Sequence, residues 1–202
     1  MDKRNFGSLE VYAVKLLPET VSGPTAEPIT LSEAKKQLEI GSNDTSHDLH
    51  LSALIQAARE QWEHDIDGVT CFQTLRLRVA NWTDGFSLPK SPIHSITSIQ
   101  YFDGANTLQT LSPSIYQLHG SDIRIAYLQV LPGTSARWDA WTINYKCGYS
   151  EDGSKVPAIA KSAMLLLIGH YFENRDMLMS DALQSFRPYE ALVRRFMRGT
   201  YP

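Results

Sequence analysis

His47 and His50 stand three residues apart in "HDLH" with Asp48 between them, a spacing that can do chemistry. Two imidazoles on one helical turn can share a zinc ion, yet a zinc site needs three or four converging ligands and an outer shell that orients them. Nothing obvious elsewhere in the sequence supplies the rest, so the pair reads first as a polar N-terminal turn. His170 and Glu173 have the form of a base and its orienting acid, but they lie on a core-like apolar run. There a hydrogen-bonded histidine at the edge of the interior is the commoner case. "EHDIDG" brings Glu63, His64, Asp65 and Asp67 without the ligand spacing or closing glutamate of a calcium loop, and "GYSEDG" misses the nucleophile elbow by its final spacing. With no phosphate loop either, the residues offer no catalytic constellation, no metal set and no cofactor motif. The balance moves from an enzyme toward a binding or structural protein. A small hydrolase or metal-dependent enzyme built around His47, His50 or His170 is the minor alternative.

Composition bounds the remaining classes. A chain of 202 residues, 43 % hydrophobic and 20 % charged, can fold around one sizeable core or two small ones. No apolar run reaches the roughly 20 residues needed to cross a bilayer, and Met1 to Arg4 begins polar and charged, so an intracellular protein without a membrane partner is expected. Cys71 and Cys147 lie far apart with no metal spacing and read as buried reduced thiols. The net charge of −3 hides an asymmetry: residues 1 to 70 hold twelve acids against six Lys and Arg, whereas 187 to 202 hold Arg187, Arg194, Arg195 and Arg198 against Glu190 alone. Four arginines without a basic stripe elsewhere fall short of a DNA-binding footprint. They mark either a solvated helix face or a tail that docks on another protein.

The elements that must position these groups follow from periodicity. Pro18, Pro24 and Pro28 with Ser22 and Gly23 give residues 1–28 the composition of an extended N-terminal arm. "ITLSEAKKQLEI" places Thr30 three residues before Glu33, the capping-box spacing, and opens a short helix carrying Leu31, Ala34 and Leu38 on one face. After a polar turn, Leu51, Leu54, Ile55, Ala58, Trp62 and Ile66 predict a second helix that ends near Gly68. The period then drops to two in "LRLRVANW", and further strand candidates follow in "ITSIQYFDGANTL", "SIYQLHGSDIRIAYLQV" and "WTINYKCGYS". Prolines and glycines keep those strands short. Pro157 opens a helix whose apolar residues, from Ile159 to Phe172, cover most of its circumference, so it must pack on several neighbours. Pro188 opens a last helix with Tyr189, Leu192, Val193, Phe196 and Met197 in one stripe and the arginines in another. Either its own domain or a partner subunit covers that stripe. The fold class expected is α+β: a mainly α-helical bundle domain, 29–68 with 155–202, carrying an inserted β-rich unit, 69–154.

In order along the chain, "ITLSEAKKQLEI", "GSNDTSHD", "LHLSALIQAAREQWEHDIDG", "LPKSPIHSITSIQYFD", "YKCGYS", "VPAIAKSAMLLLIGHYFENRD" and "FRPYEALVRRF" resemble the gp6-like head-tail connector, or adaptor, proteins of long-tailed bacteriophages. The resemblance covers residues 28 to about 198. It implies a structural virion protein with no catalytic residues and no cofactor, made in the host cytoplasm and placed at the head-tail junction. The family's architecture is a homo-oligomeric ring, usually dodecameric, below the portal protein. That ring extends the DNA channel without sequence-specific binding and gives a tail-completion or stopper protein its platform. Another phage neck or tail-completion component, binding tail proteins instead of the portal, is the alternative. The positions matching the portal-docking helix are Arg187, Pro188, Tyr189, Leu192, Arg195 and Phe196. Glu173 and Arg175 at a helix end are candidates for a pair across the subunit boundary, with a solvated terminus as the alternative. Some of the acids Glu60, Glu63, Asp65 and Asp67 are expected to face the channel, where they would repel phosphates.

Overall fold

A computed structural model describes residues 17–82, 86–126, 129–174 and 186–198. The first element, β1 (Glu19–Ser22), lies within the expected N-terminal arm and pairs antiparallel with β2 (Gln73–Val79). All four of its residues are exposed, so it contributes backbone hydrogen bonds and no core side chain. Such a one-sided edge strand leaves no alternation in the sequence to read.

The helices form where the caps and periods place them. Thr30 caps α1 (Leu31–Gln37): its hydroxyl oxygen accepts from the Glu33 amide at 3.2 Å while the Glu33 carboxylate accepts from the Thr30 amide at 2.7 Å. Lys161 adds a 3.6 Å ion pair to Glu33. Burial works against the Glu33 charge, but Thr30 and Lys161 prevail and hold its pKa below the usual carboxylate value. Helix α2 (Asp48–Asp65) buries Leu51, Leu54, Ile55, Ala58 and Trp62, and α3 (Ala158–Glu173) buries Ala160, Ala163, Met164, Leu167, Ile168 and Tyr171. With α4 (Arg187–Arg198) they close one hydrophobic cluster that runs from Ile29 to Tyr189.

A second cluster is drawn from residues 69 to 147. After β2 come β3 (Phe86–Ser87), β4 (Ile93–Phe102), β5 (Leu108–Thr110), β6 (Tyr116–His119), β7 (Asp122–Ile125) and β8 (Trp141–Cys147). They form a five-stranded antiparallel sheet in the order β1-β2-β8-β4-β5 and a three-stranded sheet in the order β3-β7-β6. Register follows hydrophobic alternation: Leu75 opposes Tyr145 and Leu77 opposes Ile143, all four buried, while Arg76, Arg78, Thr142 and Asn144 take the other face. The fold is therefore α+β without being mainly helical, at 33 % helix and 28 % strand among the described residues. The expectation of a predominantly helical bundle overweighted the strong signals of α2 and α3; the strands are many, short and individually faint.

Two glycines fix how the segments meet. Gly148 has φ +116°, and a Cβ there would lie 2.6 Å from the Cys71 carbonyl oxygen. At Gly153, with φ +72°, a Cβ would lie 2.7 Å from the Pro28 Cα. Any side chain at either position would be strained by the backbone and driven into the segment leading to β2 or the N-terminal segment.

Candidate assembly surfaces

Arg59 joins the N-terminal segment, α2 and the β strands. Its guanidinium is almost buried, with its side chain 7 % exposed, and donates from Nε to Glu27 at 2.8 Å and from Nη1 to Glu63 at 3.0 Å. Burial opposes that charge, but Glu27 and Glu63 outweigh it and raise the Arg59 pKa. The other Glu63 oxygen accepts from the Thr70 amide at 2.8 Å and the Thr70 hydroxyl at 2.6 Å, with Gln73 alongside. One ion network thus fixes the angle between helix and sheet. A charge held by several hydrogen bonds in a semi-buried site is costly to orphan.

This geometry divides the four acids expected at a channel. Glu63 is turned inward, its side chain only 12 % exposed. Asp65 accepts from the Tyr189 hydroxyl at 2.6 Å and from Gln61 at 3.0 Å, so it serves the core as well. Glu60 and Asp67 remain on the surface, with side chains 58 % and 53 % exposed, and Lys90 reaches Asp67 at 2.7 Å. Glu63 and Asp65 stand next to buried Arg59 and Tyr189, partners that sequence spacing along α2 does not reveal.

The terminal helix splits in the same way. Tyr189 is 4 % exposed, its ring sits 6.3 Å from that of Trp62, and the Phe196 ring packs edge-on to Trp62 at 5.2 Å. Burial first, then the bond to the Asp65 carboxylate, push the Tyr189 phenol pKa up. Tyr189, Leu192 and Phe196 therefore join the helical core of their own chain, whereas Arg187, Pro188 and Arg195 are exposed. Arg194, 72 % exposed, pairs only loosely with Glu190 at 3.3 Å. Beside this helix lies a cleft of about 450 Å³ lined by Ile66, Ile93, Tyr149, Phe196 and Met197 among others.

Glu173 is exposed at the end of α3, and Arg175 lies outside the described residues. The rings of His47 and His50 face Phe172 at 5.5 and 6.0 Å, and His170 stacks on Phe186 at 4.5 Å with Asn174 beside it. Among the described residues no group of three His, Cys, Asp or Glu side chains converges as a metal site would require. Burial pushes the Cys71 thiol up to about 11 and the Cys147 thiol up to about 12, away from the reactive thiolate. No helix among the described residues is long and apolar enough to cross a membrane. Sequence reasoning missed the Arg59 network; the signal present was a lone arginine on the otherwise apolar face of α2.

Comparison with known proteins gives a family match over part of the chain and a shared fold over most of it. Residues 28–104, from the Thr30 cap through β4, match the family model of the phage gp6-like head-tail connector protein. The resemblance read from the sequence is thus met over that span. The fold is shared with a chain of the virion of the native gene transfer agent particle, at TM-score 0.72 and 20 % identity over 89 % of this chain and 94 % of that one. It is shared too with chains from the neck of the empty particle computed with C6 symmetry, at TM-score 0.73, 19 % identity and coverage of 90 % and 95 %. The neck of the native particle computed with C12 symmetry gives TM-score 0.66 and 20 % identity over 90 % and 94 %. No curated protein matches.

Proposed function

We propose that the protein is a structural neck component at the head-tail junction of a phage or phage-like particle, and that its task is assembly and not catalysis. The observation that carries this reading is the connector-family match over residues 28–104, joined to a fold shared along nearly the whole chain with proteins of particle necks. In this reading copies of the chain form a ring, dodecameric in the virion, which meets the portal protein on one side, receives a tail-completion or stopper protein on the other, and lets DNA pass without sequence-specific binding. Assembly begins in the host cytoplasm. The helices, 29–68 with 155–202, form the ring body and residues 69–154 the inserted unit.

The geometry sharpens the residue assignments. Arg187, Pro188 and Arg195 are the portal-facing part of α4, and Tyr189, Leu192 and Phe196 hold that helix against Trp62 so that the arginines point outward. A basic, pre-positioned helix face suits an acidic protein surface, where charge governs encounter and register. Glu60 and Asp67 are the channel-facing candidates, and Glu173 with Arg175 is the candidate pair at a subunit boundary. Light scattering of the purified chain over a range of concentrations, alone and mixed with the portal protein, tests the proposal. A ring near twelve times 22.7 kDa, formed alone or on the portal, is expected. A persistent monomer that ignores the portal but captures tail proteins turns the reading to a tail-completion component.

A further inference from the structure

The outer face of the five-stranded sheet is polar, open and built to hold cations in place. Arg76 and Arg78 on β2 and Lys146 on β8 lie on it, and Glu19 is the carboxylate that meets them, 3.2 Å from Arg78 and 3.9 Å from Arg76. Arg76 is braced across three strands: its Nε donates to the Asn144 side-chain oxygen at 3.0 Å, and the Asn144 amide donates to the Ser98 hydroxyl at 3.0 Å. Lys146 sits 4.2 Å over the Phe72 ring, which itself packs on His94. Solvated surface arginines need no such bracing. Side chains already held in one geometry lose less entropy when a partner arrives.

The same chain carries a surface where exposed acids outnumber the one exposed lysine, Lys36. At one end of the helices, Glu39 after α1, Asp44 in the α1–α2 turn and Glu173 at the end of α3 are exposed. Lys35 to Asp48, at 2.6 Å, ties α1 to the start of α2 there, and His47 and His50 against Phe172 bring in the end of α3. None of the three carboxylates makes an ion pair with a described residue. Hydrogen bonds from Ser46 hold the Asp44 carboxyl below its usual pKa, so it stays charged. Leu49, 91 % exposed, follows Asp48 in the first turn of α2 and offers an apolar side chain to a partner.

We propose that the outer sheet face, through Arg76, Arg78 and Lys146, receives the acidic end of a second copy of this chain, Glu39, Asp44 and Glu173 around Leu49. A closed ring needs two different, complementary patches on every subunit, and these two are complementary in charge. The inference rests on the ring reading above and names its subunit contact.

The test is a charge exchange in the full-length protein, read by sedimentation velocity alone and with the portal, with circular dichroism and thermal melting as folding controls. Arg78→Glu with Lys146→Glu is expected to weaken ring formation at least about tenfold by setting like charges together, with the fold kept and the melt lowered only slightly by loss of the exposed Glu19 pair. Glu39→Lys with Asp44→Lys is expected to do the same, and mixing the two variants is expected to restore mixed assembly through the reversed pair. Rings that form normally from the sheet-face variant, or no recovery on mixing, overturn the proposal while leaving the ring reading intact. Normal rings with lost binding to a duplex DNA probe instead assign the face to nucleic acid. A wild-type chain that forms no ring under either condition overturns the ring reading itself, and that is visible before any variant is made.

Discussion

The helical and β clusters differ in where the chain finds their residues. The helical cluster gathers Ile29 and Ala34, then Leu54 to Trp62, then Val156 to Tyr171 and finally Tyr189, stretches separated by the whole set of strands that follow β1. The β cluster is drawn from the single span 69 to 147. A cluster assembled from distant stretches must fix the relative placement of those stretches by something besides burial. Arg59 does this with Glu27 on one side and Glu63, Thr70 and Gln73 on the other. In the β cluster the strand ladder fixes placement by itself, because a one-residue slip of β2 against β8 would turn Leu75 and Leu77 to solvent. The lesson is that the buried Arg59 cation sits where the two clusters meet and ties them, a task the strand ladder makes unnecessary inside the β cluster.

Arg59→Ala tests that contrast most severely. It orphans Glu63 in a half-buried site and is expected to cost about 3–5 kcal/mol, measured by denaturant unfolding. The helical and β signals should separate in that variant, with tryptophan fluorescence and far-UV dichroism no longer coincident. A loss under about 1 kcal/mol would mean that burial alone holds the seam. Phe196→Ala comes next, at about 3 kcal/mol, less than for a fully buried ring because Phe196 is partly exposed. This loss should fall on the helical transition alone.

Thr30→Ala removes one half of the capping box and is expected to cost about 1 kcal/mol in the same assay. Arg187→Ala with Arg195→Ala sharpens the division within α4: stability should stay within about 0.5 kcal/mol, because both side chains are exposed, while portal capture in a pull-down falls. Equal loss of stability and capture would put those arginines in the fold. The smallest effect belongs to the β4–β5 turn, where Asp103 accepts from the Ala105 and Thr107 amides at 2.9 Å and from Gln109 at 3.0 Å. Hydrogen bonding, led by Thr107, holds its pKa below the ordinary carboxylate value. A lowered folded pKa gives stability that is present above the unfolded value and lost as pH falls through the folded one. Asp103→Asn should therefore flatten the acid side of the stability profile below about pH 4 and leave neutral pH nearly unchanged.

Much of this molecule is legible in its residues. The Thr30 to Glu33 cap, the apolar rows of α2 and α3 and the alternation of β2 depend on neighbours within a few positions, and each formed where the pattern placed it. The candidate surface was legible only in part. An acid at Glu63 or Asp65 looks like a solvent-facing residue of α2 until Thr70 and Tyr189 arrive beside it, the latter from far along the chain. Likewise Tyr189 and Arg187 share one short motif yet take opposite sides of α4.

By itself the sequence determined the helices, the alternating strand β2 and which side of each is apolar, because capping and periodicity are short-range. It also carried the connector resemblance, which lives in the order of those stretches. Only the tertiary structure decided that β1 joins the edge of the sheet, that β8 lies between β2 and β4, and that Arg59 binds Glu27 and Glu63 at once. Those pairings are made between distant segments, where several partners of equal local merit compete and the choice falls to the burial and hydrogen bonding of the whole chain.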